Sequence, residues 1–274
     1  MKLSCLPVSL FNQIIDHTIT IEEWSSIAKK YGYDAIDISI LFIREIKSIA
    51  KLEKIRKNVE KIGMQIAMVT TYPDFTNPNS TERARQLELE KKYIKYSAAI
   101  GARSVRITSG QAHPNLETEK GLEWALEGLM DCEKIATENN IQLLLENHGK
   151  PGVWLYPDFD QQTEVFLSLA RSIKDTSIKI NFDTANPVVG HANVVELMES
   201  VISQIGWIHV ADTDNADTLH HVVIGTGLVP FKEVFSSLKQ HGYNGWLSVE
   251  EGSGLGETGI AAAAEYVRRT WNEV

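Results

Sequence analysis

Cysteine is almost missing from this chain. Cys5 and Cys132 are the only two in 274 residues, and neither belongs to a Cys-x-x-Cys pair. A disulfide framework or a cysteine zinc site is therefore not expected, and both thiols read as small buried residues in a reducing compartment. Long apolar runs are missing as well: no stretch approaches the roughly 18 residues needed to span a bilayer, so no membrane association is expected. Lys/Arg-rich blocks are absent. With 27 basic against 36 acidic residues the net charge is −9, and an acidic chain without a basic stripe grips phosphate backbones poorly, so nucleic acid is not an expected partner. No Ser-, Gly- or Pro-rich linker divides the sequence, which predicts one domain over residues 1–274. The opening residues carry one lysine and a short apolar run, but Pro7 and two serines interrupt it and no small-residue cleavage site follows. They read as a first strand rather than a secretory leader, and a cytoplasmic location is expected.

What is present is an alternation. Short β-rich runs fall at residues 3–9, 35–39, 65–70, 104–108, 142–146, 179–183, 207–211 and 246–250. Between them lie amphipathic helical patterns at 21–31, 80–100, 118–139, 160–173, 193–203, 230–241 and 257–272. The charge-rich run 51–61 is most simply an outer helix face. Thr20 with Glu23 forms a capping box for the first of these helices, and Ser80 is expected to cap the second. Helical patterns are followed by Gly32, Gly63, Gly101 and Gly242, each shortly before a strand. Strands alternating with helices argue for a parallel sheet. Eight right-handed βα units can close into an α/β (β/α)8 TIM barrel.

Strands of such a barrel are apolar except at the C-terminal mouth, where chemistry sits. Strand two ends with Asp37 and Ser39, strand four with Thr108 and Ser109, and strand five with Glu146-Asn147-His148. Strand six ends with Asp183, followed three residues later by Asn186. Strand seven carries His209 and then Asp212, and strand eight ends Glu250-Glu251. Taken singly, each has an ordinary reading: a strand-end Glu is usually solvated, His209 between Ile208 and Val210 suits a core histidine, and Asp183 suits a turn. Four consecutive strands nevertheless deliver Glu146, Asp183, His209 and Glu250 at equivalent points. Three crowded carboxylates repel unless a cation sits among them. One imidazole with oxygen donors and no thiolate suits one divalent ion, Mn²⁺ first, with Mg²⁺, Co²⁺ and Zn²⁺ as alternatives. His148 and Asn186 are candidates for contacting substrate hydroxyls, and Lys150 and Trp154 for forming a lid. One of His220 and His221, with His221 preferred, is expected to reach the mouth. Asp212 is either an outer partner of His209 or simply solvated. The Gly225-Thr226-Gly227 turn is weak evidence for a phosphate site.

These motifs resemble the xylose-isomerase-like TIM barrels, in their branch of sugar isomerases and epimerases. The resemblance rests on Leu145-Glu146-Asn147-His148-Gly149, Asn181-Phe182-Asp183-Thr184, Ile208-His209-Val210, Ile224-Gly225-Thr226-Gly227 and Gly242 through Glu250. It covers nearly the whole chain. It implies that the four residues bind the metal and that Glu146 and Glu250 are also the catalytic acid and base on opposite faces of a bound sugar. The implied reaction is isomerisation or epimerisation of a sugar or sugar-like ketone, through an enediolate that the metal stabilises. Asn186 stands where many relatives have His, and Ala211 where many have Lys, which puts the usual sugar contacts in doubt. The partner class is a small carbohydrate or polyol ketone, and homo-oligomers are common among such proteins. Three rival readings exist: a dehydratase of a cyclic polyol ketone or dehydroshikimate-like acid, an abasic-site endonuclease, and a sugar-binding barrel without turnover. The endonuclease is disfavoured by the acidic charge and the missing extra ligands.

Overall fold

The β-rich runs of the sequence become strands that all pair in parallel. The computed structural model describes residues 1–150 and 152–274. Its strands are β1 (Lys2–Leu6), β2 (Ile36–Ser39), β3 (Ile66–Thr70), β4 (Ser104–Ile107), β5 (Gln142–Glu146), β6 (Lys179–Asp183), β7 (Ile205–Val210) and β8 (Trp246–Glu250). They form one eight-stranded sheet in the order β1-β8-β7-β6-β5-β4-β3-β2. Between β1 and β2 closure is made by a few bonds rather than a ladder. The Asp34 N–H donates to the Leu3 carbonyl at 2.8 Å. The Leu3 N–H donates back to Asp34 Oδ2 at 2.8 Å, and Ser4 Oγ donates to Asp37 Oδ2 at 2.7 Å. The ring is thus a nearly closed (β/α)8 barrel.

The outer layer consists of α1 (Ile21–Lys30), α2 (Ile49–Ile62), α3 (Ser80–Ala99), α4 (Thr118–Glu138), α5 (Thr163–Ile173), α6 (Val194–Val201), α7 (Phe231–Gln240) and α8 (Glu257–Glu273). The capping box forms as expected: Glu23 N–H donates to Thr20 Oγ1 at 3.1 Å, and Thr20 N–H to Glu23 Oε2 at 2.8 Å. The cap of α3 is not Ser80. Asn79, in extended backbone, accepts from the N–H groups of Thr81 and Glu82 at 3.0 and 3.2 Å, so Ser80 is already helical. The first strand also stops short of the expected residue 9. Pro7 has no N–H for a ladder, and Val8–Leu10 turns as a 3-10 helix. The helix expected from residue 160 starts at Thr163, after a 3-10 turn at Phe159–Gln161 that buries Asp160.

Side chains alternate across each strand with a period of two, so one set faces the helices and the other fills the barrel. Low in the barrel, Met68, Leu144, Trp207 and Trp246 pack with Ala35 and Ala67 as a separate apolar floor. The Trp207 and Trp246 rings stack at 5.9 Å with 11° between their planes. Truncating either ring would cost about 3–5 kcal/mol. Two residues further along the same strands the character changes to polar: Leu144 gives way to Glu146, Trp207 to His209, and Trp246 to Ser248 and then Glu250. The floor therefore closes one end and leaves the polar residues at the other.

Candidate metal centre

Glu146, Asp183, His209 and Glu250 converge at the C-terminal ends of β5 to β8. Each offers a ligand atom, and these atoms lie within 4.8 Å of one another. The ladder shows how. Asp183 pairs directly with His209, whereas Glu146 lies opposite Asn181 and His209 opposite Ser248. The ligand-type residue is therefore displaced by two positions at two of the three steps. That stagger is what strand tilt demands of a closed barrel, and it brings inward-facing side chains to a common height.

Within the cluster, His209 Nδ1 is 2.5 Å from Glu146 Oε1 and 3.2 Å from Glu250 Oε2. Neither contact has the alignment of a hydrogen bond, and both ring nitrogens of His209 are buried without a partner. The four donor atoms are thus gathered closely, with the His209 ring nitrogens lacking an aligned hydrogen bond. Surrounding groups fix them. Asn181 Nδ2 donates to Glu146 Oε1 at 2.7 Å. Asn147 brackets the Asp183 backbone, with its Nδ2 donating to the carbonyl at 3.0 Å and its Oδ1 accepting from the N–H at 2.7 Å. Asp183 Oδ1 accepts from the N–H groups of Ala185 and Asn186 at 2.8 and 2.7 Å, tying it to the start of the short helix Asn186–Val189.

Electrostatics follow from crowding in a dry site. Burial, then Glu146 and Glu250, push the Asp183 carboxyl well above the usual carboxylate range. Burial opposes charge on Glu146, yet Arg106 and His209 outweigh it and hold that carboxyl below its ordinary value. Glu250 is likewise held low, against burial, by His209. His209 is raised well above an ordinary imidazole, despite burial, by the two glutamates. Arg106 and His209 thus oppose the carboxylate charge, and a divalent ion among the carboxylates would add to that balance. Three carboxylates and one imidazole, converging and incompletely hydrogen-bonded, fit such an ion.

The other expected site residues divide. His148 is partly buried, its Nε2 3.7 Å from Glu146 Oε2 and its Nδ1 3.7 Å from Asp158 Oδ2. Burial lowers its pKa to about 4. Asn186 is buried with its Oδ1 unpartnered, and a Cβ on Gly149 would stand 2.7 Å from that oxygen. Glycine thus lets the β5 loop pass. His221 packs on Gly252, next to the end of β8 that carries Glu250. Lys150 is solvent-exposed, and Trp154 is buried between exposed neighbours Val153 and Leu155. Asp212 does not support His209. Its Oδ2 accepts from the N–H groups of Gly225 and Gly227 at 2.8 and 2.9 Å, and its Oδ1 from Thr213 and Val229 at 3.0 and 3.2 Å. The residue lies past the end of β7, so it ties the following loop, and the Gly-x-Gly donors serve this internal carboxylate. His220 pairs with Asp214 at 2.7 Å on the surface.

Sequence reasoning missed Arg106, Asp158 and Asp160, and noted Asp37 at the end of its strand without assigning it a partner. Ser109 Oγ donates to Asp158 Oδ1 at 2.6 Å, and burial raises that carboxyl to about 7. Asp37 accepts from Ser4 and Ser248 at 2.7 and 2.5 Å inside the barrel. A charged residue within an apolar strand was the available signal for both Arg106 and Asp37.

Fold and site together define a parallel (β/α)8 barrel with a buried three-carboxylate, one-imidazole cluster at its mouth. The chain belongs to the xylose isomerase-like TIM barrel family, whose sequence profile matches residues 26–270. Among characterised relatives, the L-ribulose-5-phosphate 3-epimerase UlaE of Shigella flexneri serotype 5b is 24% identical over 259 residues, covering 88% of this chain and 84% of that protein. Among solved structures, the IolI protein with a bound zinc atom superposes with a TM-score of 0.80 at 16% identity, covering 100% of this chain and 99% of that one. The probable 3-DHS dehydratase AsbF of Bacillus anthracis gives 0.79 at 17% identity, covering 98% and 99%. At those identities the structural likeness speaks for the fold. Among the described residues no helix is long and apolar enough to cross a membrane.

Proposed function

We propose that Glu146, Asp183, His209 and Glu250 bind one divalent metal ion, and that the protein is a sugar isomerase or epimerase acting on a ketose or sugar-like ketone. The observation carrying this reading is the convergence of four donor atoms within 4.8 Å, with the His209 imidazole buried and unpartnered. When bound, the ion supplies Lewis-acid polarisation of a substrate carbonyl. Mn²⁺ heads the candidates because the donor set is oxygen-rich, and Mg²⁺, Co²⁺ and Zn²⁺ suit the same geometry.

The remaining chemistry belongs to the chain. The Glu250 side chain is 18% exposed against 1% for Glu146, so Glu250 faces the mouth and removes the proton from the carbon beside the carbonyl. Glu146 serves the opposite face. Return of the proton there gives epimerisation, and return to the neighbouring carbon gives isomerisation. His148, Asn186 and His221 line the approach and hold hydroxyl groups. The UlaE relatives, named as 3-epimerases of a pentulose phosphate, favour the isomerase class over the lyase.

The test begins with elemental analysis of the purified protein and of the Glu146→Gln/Asp183→Asn variant. Solvent-deuterium incorporation is then followed in a panel of free and phosphorylated ketoses. About one ion per chain, lost in the variant, with deuterium entering beside the carbonyl, supports the reading. No ion after incubation with Mn²⁺ or Co²⁺ overturns it. Water loss from a cyclic polyol ketone in the same assay assigns the chain to the dehydratases instead.

A further inference from the structure

Arg106 lies on β4, inside the barrel, and is 1% exposed. A buried guanidinium is costly unless it is held and paired. Here Nη1 donates to the Thr71 carbonyl at 3.0 Å, and the guanidinium lies 4.6 Å from the Tyr72 ring centroid. Both contacts come from the β3 side and neither involves the metal cluster. The third contact does: Arg106 Nε is 3.1 Å from Glu146 Oε2. The two oxygens of Glu146 are therefore divided. Oε1 faces the cluster, 2.5 Å from His209 Nδ1 and accepting from Asn181 Nδ2 at 2.7 Å, while Oε2 faces β4.

A carboxylate with both oxygens free can chelate a divalent ion with either one or two of them. One whose outer oxygen rests against an independently anchored cation is restricted to the first mode. The cation also repels the ion. We propose that Arg106 is a positioning residue that confines Glu146 to a single metal-facing oxygen, so that the ion is held less tightly than the four donors would otherwise hold it and keeps a place open for substrate. Oε2, kept off the ion, remains available for proton transfer. This inference rests on the metal-binding reading above.

The role makes a prediction opposite in sign to a merely structural one. An arginine that only orders the barrel would, when lost, disorder Glu146 and weaken metal binding. A tether that limits chelation would, when lost, tighten it. The experiment measures the Mn²⁺ dissociation constant by competition with a chelating dye for the wild type and for Arg106→Met, Arg106→Lys and Tyr72→Leu. Arg106→Met is expected to bind Mn²⁺ roughly tenfold more tightly, within the range that outer contacts of a ligand command. It should also show a larger Mn²⁺-induced rise in melting temperature, because its metal-free carboxylates have lost their counter-charge. Arg106→Lys should stay near the wild type. Tyr72→Leu, which loosens the guanidinium without removing it, should shift the constant in the same direction by less, and it carries the test if Arg106→Met does not fold. An unchanged or weakened constant in Arg106→Met, or in Tyr72→Leu if that variant stands alone, overturns the Arg106 role and leaves the metal reading intact. A wild type that takes up no divalent ion overturns both.

Discussion

The two halves of the strand ring are built alike and end differently. β5 to β8 finish in Glu146, Asp183, His209 and Glu250, whose donor atoms share one centre. β1 to β4 carry Ser4, Asp37, Thr70 and Arg106 at buried positions, hydroxyls and charges that act on neighbours. Asp37 serves as an acceptor for Ser4 and Ser248, and Arg106 rests against Glu146. One half thus presents four convergent donors, together with Asn147 and Asn181 that orient them, and the other contributes the Arg106 charge against Glu146. The buried Arg106 charge is explained by the Glu146 carboxylate on the neighbouring strand, not by the apolar residues of its own.

The comparison breaks most visibly at Glu250. Glu250→Gln keeps an oxygen donor but loses the base, so solvent-deuterium exchange into the substrate should fall about 10²- to 10⁴-fold while most of the metal remains bound. Retained exchange would remove Glu250 from the proton-transfer role. Next in size is the response to metal. Mn²⁺ at a hundred times its dissociation constant should stabilise the stripped protein by about 2.7 kcal/mol, read as a rise in denaturant midpoint. The Glu146→Gln/Asp183→Asn variant should show almost none of this.

Asp212 sharpens the contrast within the ligand half itself. Asp212→Ala strips the acceptor from the N–H groups of Gly225, Gly227, Thr213 and Val229, and should cost about 2–4 kcal/mol in urea unfolding with metal affinity little changed. Loss of metal at unchanged stability would restore Asp212 as a partner of His209. The smallest effect lies across the ring, at Glu90 on α3. Thr71 Oγ1 donates to its Oε1 at 2.7 Å, and burial raises the carboxyl from 4.5 to about 8. A folded-state pKa above the unfolded value means the folded state binds the proton more tightly. The stabilisation is complete below about pH 4.5 and is lost as pH rises through about 8. Glu90→Gln should flatten the fall in stability over that interval, and an unaltered slope would show that Glu90 does not titrate there.

Much of this architecture was legible in residue order. β5, β6 and β8 fall where the alternating runs place them, and the four converging side chains lie on the strands expected to carry them. The failures have local causes. Pro7 ended β1 before the apolar run did, and Asn79 displaced Ser80 as a cap because its side chain reaches two free N–H groups.

Sequence by itself determined the strand and helix order, the inward face of each strand and the identity of the four converging donors, because a period of two is a local property of the chain. Only the closed barrel decided that Glu146 lies opposite Asn181 while Asp183 lies opposite His209, and that Arg106 meets Glu146. Those meetings depend on strand stagger and on ring closure between β1 and β2, which join residues far apart in the chain and leave no periodic mark in either segment.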